Sequence, residues 1–118
     1  MEKVKDGDRI MVGGFGLRGC PDDLIDALVK TGKKDLTIIS NDLGSPGVGL
    51  GKLLSNNQVK ALIGNFYNWN TEVAAARNAG KIQVTLVPQG TFAESIRAAG
   101  CGIPAYFTLA SAGTELGE

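Results

Sequence analysis

Four times along this chain a short apolar run gives way to a stretch with helical spacing, and that alternation leaves few folds open. The apolar runs are 9–13, 35–40, 59–63 and 82–87; the helical stretches are 21–31, a short one near 50–55, 71–79 and 91–99. Repeated strand–helix pairs predict an α/β fold: a mostly parallel sheet, right-handed crossovers, and helices on both faces. The run Asp35-Leu-Thr-Ile-Ile-Ser40 reads as a strand covered on both sides. In the first helix Pro21 suits the opening turn, Asp22 and Asp23 favour the positive end of the dipole, and Gly32 stops it. Leu24, Ile25, Leu28 and Val29 supply its apolar stripe. Gly80 closes the third helix, and Thr91-Phe-Ala-Glu94 reads as a capping box opening the fourth, which Gly100 ends.

A chain of 118 residues without linkers, repeats or low-complexity segments reads as a single domain. After Gly100, however, neither a closing helix nor an amphipathic strand follows. Four strands with open edges are marginal alone, so an incomplete domain is expected, completed by more chain or by a partner. The 12 basic and 12 acidic residues cancel and are interspersed, which excludes the basic footprint of a nucleic-acid binder. No apolar run reaches membrane-spanning length and no signal-peptide core opens the chain, so neither nucleic acid nor membrane is expected, and a cytoplasmic location is. Histidine is absent, which removes Ser-His-Asp and Cys-His machinery. Cys20 and Cys101, with no histidine, cannot make the usual zinc site, so no metal is expected; in a reducing compartment they read as free thiols.

Parallel α/β sheets bind ligands at the carboxyl ends of their strands. Three loops converge there, 13–20, 41–48 and 88–91, and among the polar residues they carry are Asn41, Asp42 and Gln89. In the first loop Gly13, Gly14, Gly16 and Gly19 leave the backbone open to a close-lying ligand, and the helix that follows suits an anion or a polar acyl group. Gly14-Phe15-Gly16-Leu-Arg-Gly19 also satisfies G-x-G-x-x-G, with Asp42 near the distance of a ribose-binding acid, so a dinucleotide site is a competitor. The local chemistry argues against it. The helix starts after the glycine pattern, and the carboxylates of Asp22 and Asp23 fill the first turn where a pyrophosphate would sit.

Read as a whole, Asp6-Gly7-x-x-Ile10-Met11-Val12-Gly13-Gly14-Phe15-x-x-x-Gly19-x-Pro21 resembles the start of the α subunit of family I coenzyme A transferases. The resemblance continues through Leu36-Thr-Ile-Ile-Ser-Asn-Asp42 and Gly49-Leu-Gly-Lys-Leu-Leu-Ser-Asn-Asn-Gln-Val-Lys60. It extends over Val87-Pro-Gln-Gly-Thr-Phe-Ala-Glu-Ser-Ile-Arg97 and Gly102-Ile-Pro-Ala-Tyr-Phe-Thr108, spanning nearly all of the chain in register. The likeness is strongest to the α subunits of enzymes for short-chain acids and 3-oxoacids, with acetoacetyl-CoA among the donors.

What the resemblance implies is a ping-pong transfer of CoA between an acyl-CoA and a short-chain carboxylate, through a glutamyl-CoA thioester. The glutamate belongs to a β subunit, its motif has no counterpart here, and the expected state is a hetero-oligomer. No permanently bound cofactor is implied; the coenzyme A thioester is substrate. Gln89 in Pro-Gln-Gly-Thr matches the family's oxyanion donor, and Asn41 in Ser-Asn-Asp matches a residue lining the acyl pocket. Gly13, Gly14, Phe15 and Gly16 are expected to shape that pocket, with Gly90 leaving the backbone open beside Gln89. Read without the family, Asn41 is a left-handed turn former, Gln89 a helix-entry residue and Phe15 a core side chain. Phe66, Tyr67 and Trp69 read as packing or partner contacts, and Asp42 departs from an asparagine common in relatives. Family α subunits are roughly twice this length, so the chain reads as the N-terminal portion of one. A non-catalytic assembly module of the same fold is the alternative from another functional class.

Overall fold

The computed structural model describes residues 3–68 and 70–114. Eight elements follow the expected alternation: β1 (Arg9–Met11), α1 (Asp22–Thr31), β2 (Leu36–Ile39), α2 (Gly51–Ser55), β3 (Val59–Gly64), α3 (Thr71–Asn78), β4 (Gln83–Leu86) and α4 (Gln89–Gly100). The strands form one sheet in chain order, and every neighbouring pair is parallel.

Right-handed crossovers in a sheet of this order send successive helices to the same face. The core is built accordingly. Ile25 and Leu28 of α1, Leu53 and Leu54 of α2 and Val73 of α3 close over Leu36, Ile38 and Leu62 of the sheet. α4 takes the opposite face, where Phe92, Ile96 and Ala99 border a cleft of about 280 Å³ with Met11, Ile39 and Ile63. Both faces carry helices, but unequally. Leu36 and Ile38 are fully buried while Thr37 and Ile39 are only half-buried, so β2 is less covered on its second side than its unbroken apolar run suggests.

Two local expectations are corrected. Leu24 is 59% exposed, because the buried stripe of α1 is Ile25 and Leu28 with Val29 beside them, and Leu24 sits one step off it. The capping box at Thr91 does not form. Pro88, at φ −54° and ψ 142°, already turns the chain into α4, so the helix begins at Gln89 and Thr91 lies inside its first turn. The Thr91 hydroxyl is buried without a hydrogen-bond partner among the described residues. Glu94 pairs with Arg97 at 2.6 Å, and that guanidinium holds its carboxyl below the ordinary value.

Candidate functional site

The site is assembled where the strands end. Beyond β2 the chain turns at Asp42, which is only 3% exposed. A carboxylate so placed is costly unless hydrogen-bonded. It accepts the N–H of Gly16 at 2.5 Å and the N–H of Gly44 at 2.9 Å. Those two bonds lock the first glycine turn to the second. Each turn is closed by its own bridge, Phe15 to Arg18 and Ser45 to Val48. The Asp42 carboxylate and the Gly16 amide are thereby used up inside the protein, which removes both from a dinucleotide site.

The second half of the edge is built on β3 and β4. The carbonyl of Gly64 accepts the N–H of Val87 at 2.7 Å. A Cβ on Gly64 would lie 2.0 Å from the Ser40 carbonyl oxygen and 2.6 Å from the Tyr67 hydroxyl, so only glycine fits between β2 and β4 there. The next two residues, Asn65 and Phe66, donate their N–H groups to the Asn41 carbonyl at 3.1 and 3.0 Å. The side-chain amide of Asn65 in turn donates to Oε1 of Gln89. Gln89 is the first residue of α4, a helix with no capping side chain and no acid in its first turn, whereas α1 carries Asp22 and Asp23 there. Helix N-termini present backbone N–H groups and positive potential, and at α4 no carboxylate cancels them.

Asn41, through its carbonyl, and Gln89, through its side chain, are therefore joined by Asn65, and Gly16 is joined to the same edge through Asp42. Gly13 and Gly90 are exposed with no atom near where a Cβ would stand. Gly14 is half-buried against the Cys20 thiol. Phe15 is 60% exposed and so is not a core side chain. Tyr67 packs on the core, while Trp69 lies outside the described residues. Burial first, then the Asp42 charge, pushes the Tyr67 phenol upward; burial, then Asp22 and Asp42, raises the Cys20 thiol. Both cysteines are free. Among the described residues no cluster of His, Cys, Asp and Glu could hold a metal, and no helix is long and apolar enough to cross a membrane.

Asn65 is the residue of this edge that no motif picks out. The signal was present: it follows a strand-ending glycine at the carboxyl edge of β3, the same kind of position that singles out Asn41 after β2. Chemically, this edge supplies hydrogen-bond donors from carboxamides and backbone amides. Such donors stabilise an oxyanion and bind a carboxylate, but they attack nothing.

The family model described as "Coenzyme A transferase" matches residues 1–117. The chain is 46% identical, over 115 residues, to one of the subunits of the succinyl-CoA:3-ketoacid coenzyme A transferase of Helicobacter pylori, covering 98% of this chain and 50% of that one. It is 44% identical, again over 115 residues, to the corresponding subunit of the probable succinyl-CoA:3-ketoacid coenzyme A transferase of Bacillus subtilis, covering 98% of this chain and 48% of that one. The chain thus spans about half the length of these relatives. Among solved structures, glutaconate coenzyme A-transferase from Acidaminococcus fermentans superposes with a TM-score of 0.83 at 24% identity, covering 98% of this chain and 37% of that one. That likeness extends to the fold.

Proposed function

The chain belongs to the coenzyme A transferase family, and on that premise we propose that it is the N-terminal part of an α subunit that, with a β subunit, moves CoA between an acyl-CoA and a short-chain carboxylate. Acetoacetyl-CoA is one donor of this class, and succinyl-CoA, named with a 3-ketoacid in its 46% and 44% identical relatives, is another. The observation that carries the reading is the placing of Gln89: a carboxamide exposed at the carboxyl edge of the sheet, at the start of a helix whose first turn has no acid. We place the enzyme in the cytoplasm, which suits its two free thiols.

In this mechanism a glutamate from the β subunit is the nucleophile: it attacks the thioester carbonyl, and the carbonyl electrons move onto oxygen. The side-chain N–H of Gln89 donates to that oxyanion. Collapse expels CoA thiolate and leaves an acyl–glutamyl anhydride. The thiolate then attacks the glutamyl carbonyl, releasing the first carboxylate and leaving a glutamyl-CoA thioester. An incoming carboxylate attacks that thioester and expels thiolate. The thiolate takes the new acyl group from the second anhydride and returns the glutamate. Asn41 lines the acyl pocket, and Gly13, Gly14, Phe15, Gly16 and Gly90 shape its approach. A preorganised amide donor is worth about 3 kcal/mol in such a transition state.

The test is Gln89→Ala in the enzyme assembled with its partner subunit, following consumption of acetoacetyl-CoA with succinate or acetate as acceptor. Turnover should fall about 100-fold, with assembly unchanged on size-exclusion chromatography. Unchanged turnover removes Gln89 from the mechanism. A parent complex that assembles tightly yet transfers no CoA is an assembly module instead.

A further inference from the structure

We infer that Asn65 is a positioning residue that decides which end of the Gln89 carboxamide meets the substrate. The inference rests on the reading of Gln89 as the oxyanion donor. A carboxamide has two ends of nearly equal size and opposite character, an acceptor oxygen and a donor NH₂. Only the NH₂ end stabilises an oxyanion; the oxygen end repels it. An exposed glutamine without a partner turns between the two with little preference, so half of its orientations oppose the reaction.

Asn65 removes that ambiguity. Its Nδ2 donates to Oε1 of Gln89, which commits the oxygen to the protein and leaves Nε2 as the end turned away from Asn65. The main chain of Asn65 is fixed. Its N–H, like that of Phe66, is held by the Asn41 carbonyl, at 3.1 and 3.0 Å. The preceding residue, Gly64, sits where no larger residue fits and accepts the N–H of Val87 at 2.7 Å, so Asn65 stands one residue and Gln89 three residues past the last rung of the β3–β4 ladder, Gly64 opposite Leu86. On the Gln89 side, the Phe92 N–H bonds the Pro88 carbonyl at 2.8 Å and fixes the main chain of the first turn. Donor and partner are thus both carried on a strand end or a helix start, the arrangement that keeps a reacting group in register.

The test uses Asn65→Ala, Asn65→Asp, Gln89→Ala and the double variant Asn65→Ala/Gln89→Ala in the assembled enzyme, with kcat and KM measured for each. Asn65→Ala should lower kcat roughly tenfold with KM little changed, because orientation and not binding is lost. Asn65→Asp is near-isosteric and keeps the fold, which a far-UV spectrum and a thermal melt verify. Its carboxylate accepts, so it draws the Gln89 NH₂ inward. Its kcat should be as low as that of the alanine variant at pH 8 and recover, relative to the parent, as acid protonates the carboxyl and restores a donor. A merely structural role gives no such pH profile. In the Gln89→Ala background, Asn65→Ala should change nothing further. If Gln89→Ala collapses turnover while Asn65→Ala leaves kcat intact, or the two losses multiply, the positioning role is wrong and the donor reading stands. If Gln89→Ala itself leaves kcat intact, the donor reading fails, and the role of Asn65 with it.

Discussion

Asp42 and Gly16 lie 26 positions apart in the chain and are joined by a 2.5 Å hydrogen bond from a backbone amide to a buried carboxylate. That bond, with its companion to Gly44, makes the first and second glycine turns a single unit. Asn in place of Asp42 keeps the shape but turns one accepting oxygen into an amine facing a buried N–H. Asp42→Asn should cost about 1–3 kcal/mol, read as a lower urea midpoint with unchanged slope.

Gly64→Ala tests the closeness of the strands. Its Cβ would stand 2.0 Å from the Ser40 carbonyl oxygen, and backbone cannot yield there without breaking the ladder. The loss should exceed about 3 kcal/mol, and the variant should be recovered unfolded or with a strongly lowered melting temperature. Gly80→Ala provides contrast: nothing crowds its Cβ, and the smaller penalty expected comes from its φ of +72° alone.

Tyr67 buries a hydroxyl that finds no partner among the described residues. Tyr67→Phe should therefore match or exceed the parent in stability at neutral pH, by up to about 1 kcal/mol. Burial, reinforced by the Asp42 charge, raises the phenol above its ordinary value of 10.0. The folded chain then keeps the proton while the unfolded chain gives it up, so the parent loses stability as pH climbs through and beyond 10. Tyr67→Phe lacks that loss. The gap between the two denaturation midpoints should be constant below pH 9 and widen above pH 10.

Asn70 is 1% exposed and has two duties: its Oδ1 caps α3 by accepting the Glu72 N–H at 3.1 Å, and its Nδ2 donates to the Leu43 carbonyl at 3.2 Å. At an exposed helix start Asp caps as well as Asn. Here Asn70→Asp keeps the cap but sets a carboxylate oxygen against a carbonyl, and should cost about 1–3 kcal/mol. Asn70→Ser, which retains a cap without the added charge, should cost less in the same denaturation assay.

The alternation of strands and helices was legible because each element declares itself over a few consecutive residues. Gly32, with φ of +67°, ends α1 as its position suggests. What local pattern misjudged is equally specific. Thr91 and Glu94 have capping-box spacing, but the extended Pro88 starts the helix two residues sooner and Arg97 claims the acid. Leu24 is apolar yet exposed, since a ten-residue helix turns only a narrow stripe inward. Asp42, Gln58, Asn65 and Asn70 each take a partner from a distant loop or helix: Gln58, for example, donates to the carbonyls of Leu28 and Lys33. No spacing rule within an element reaches across 25 or 30 positions, the separations of those two bonds. Asn41 and Gln89 stand out by their loops at the strand ends, family likeness adding only their roles, and the amide that connects them does not stand out at all.

A sheet whose strands pair in the order of synthesis has a direction in time as well as in space. Each new strand leaving the ribosome meets a neighbour already made, and the ledge formed by residues 41 and 65 precedes the glutamine that rests on it. The donor thus comes last, onto prepared ground. Chains ending at residue 82 should already resist protease across β1 to β3, and those extended past α4 should gain protection at β4 and the final helix.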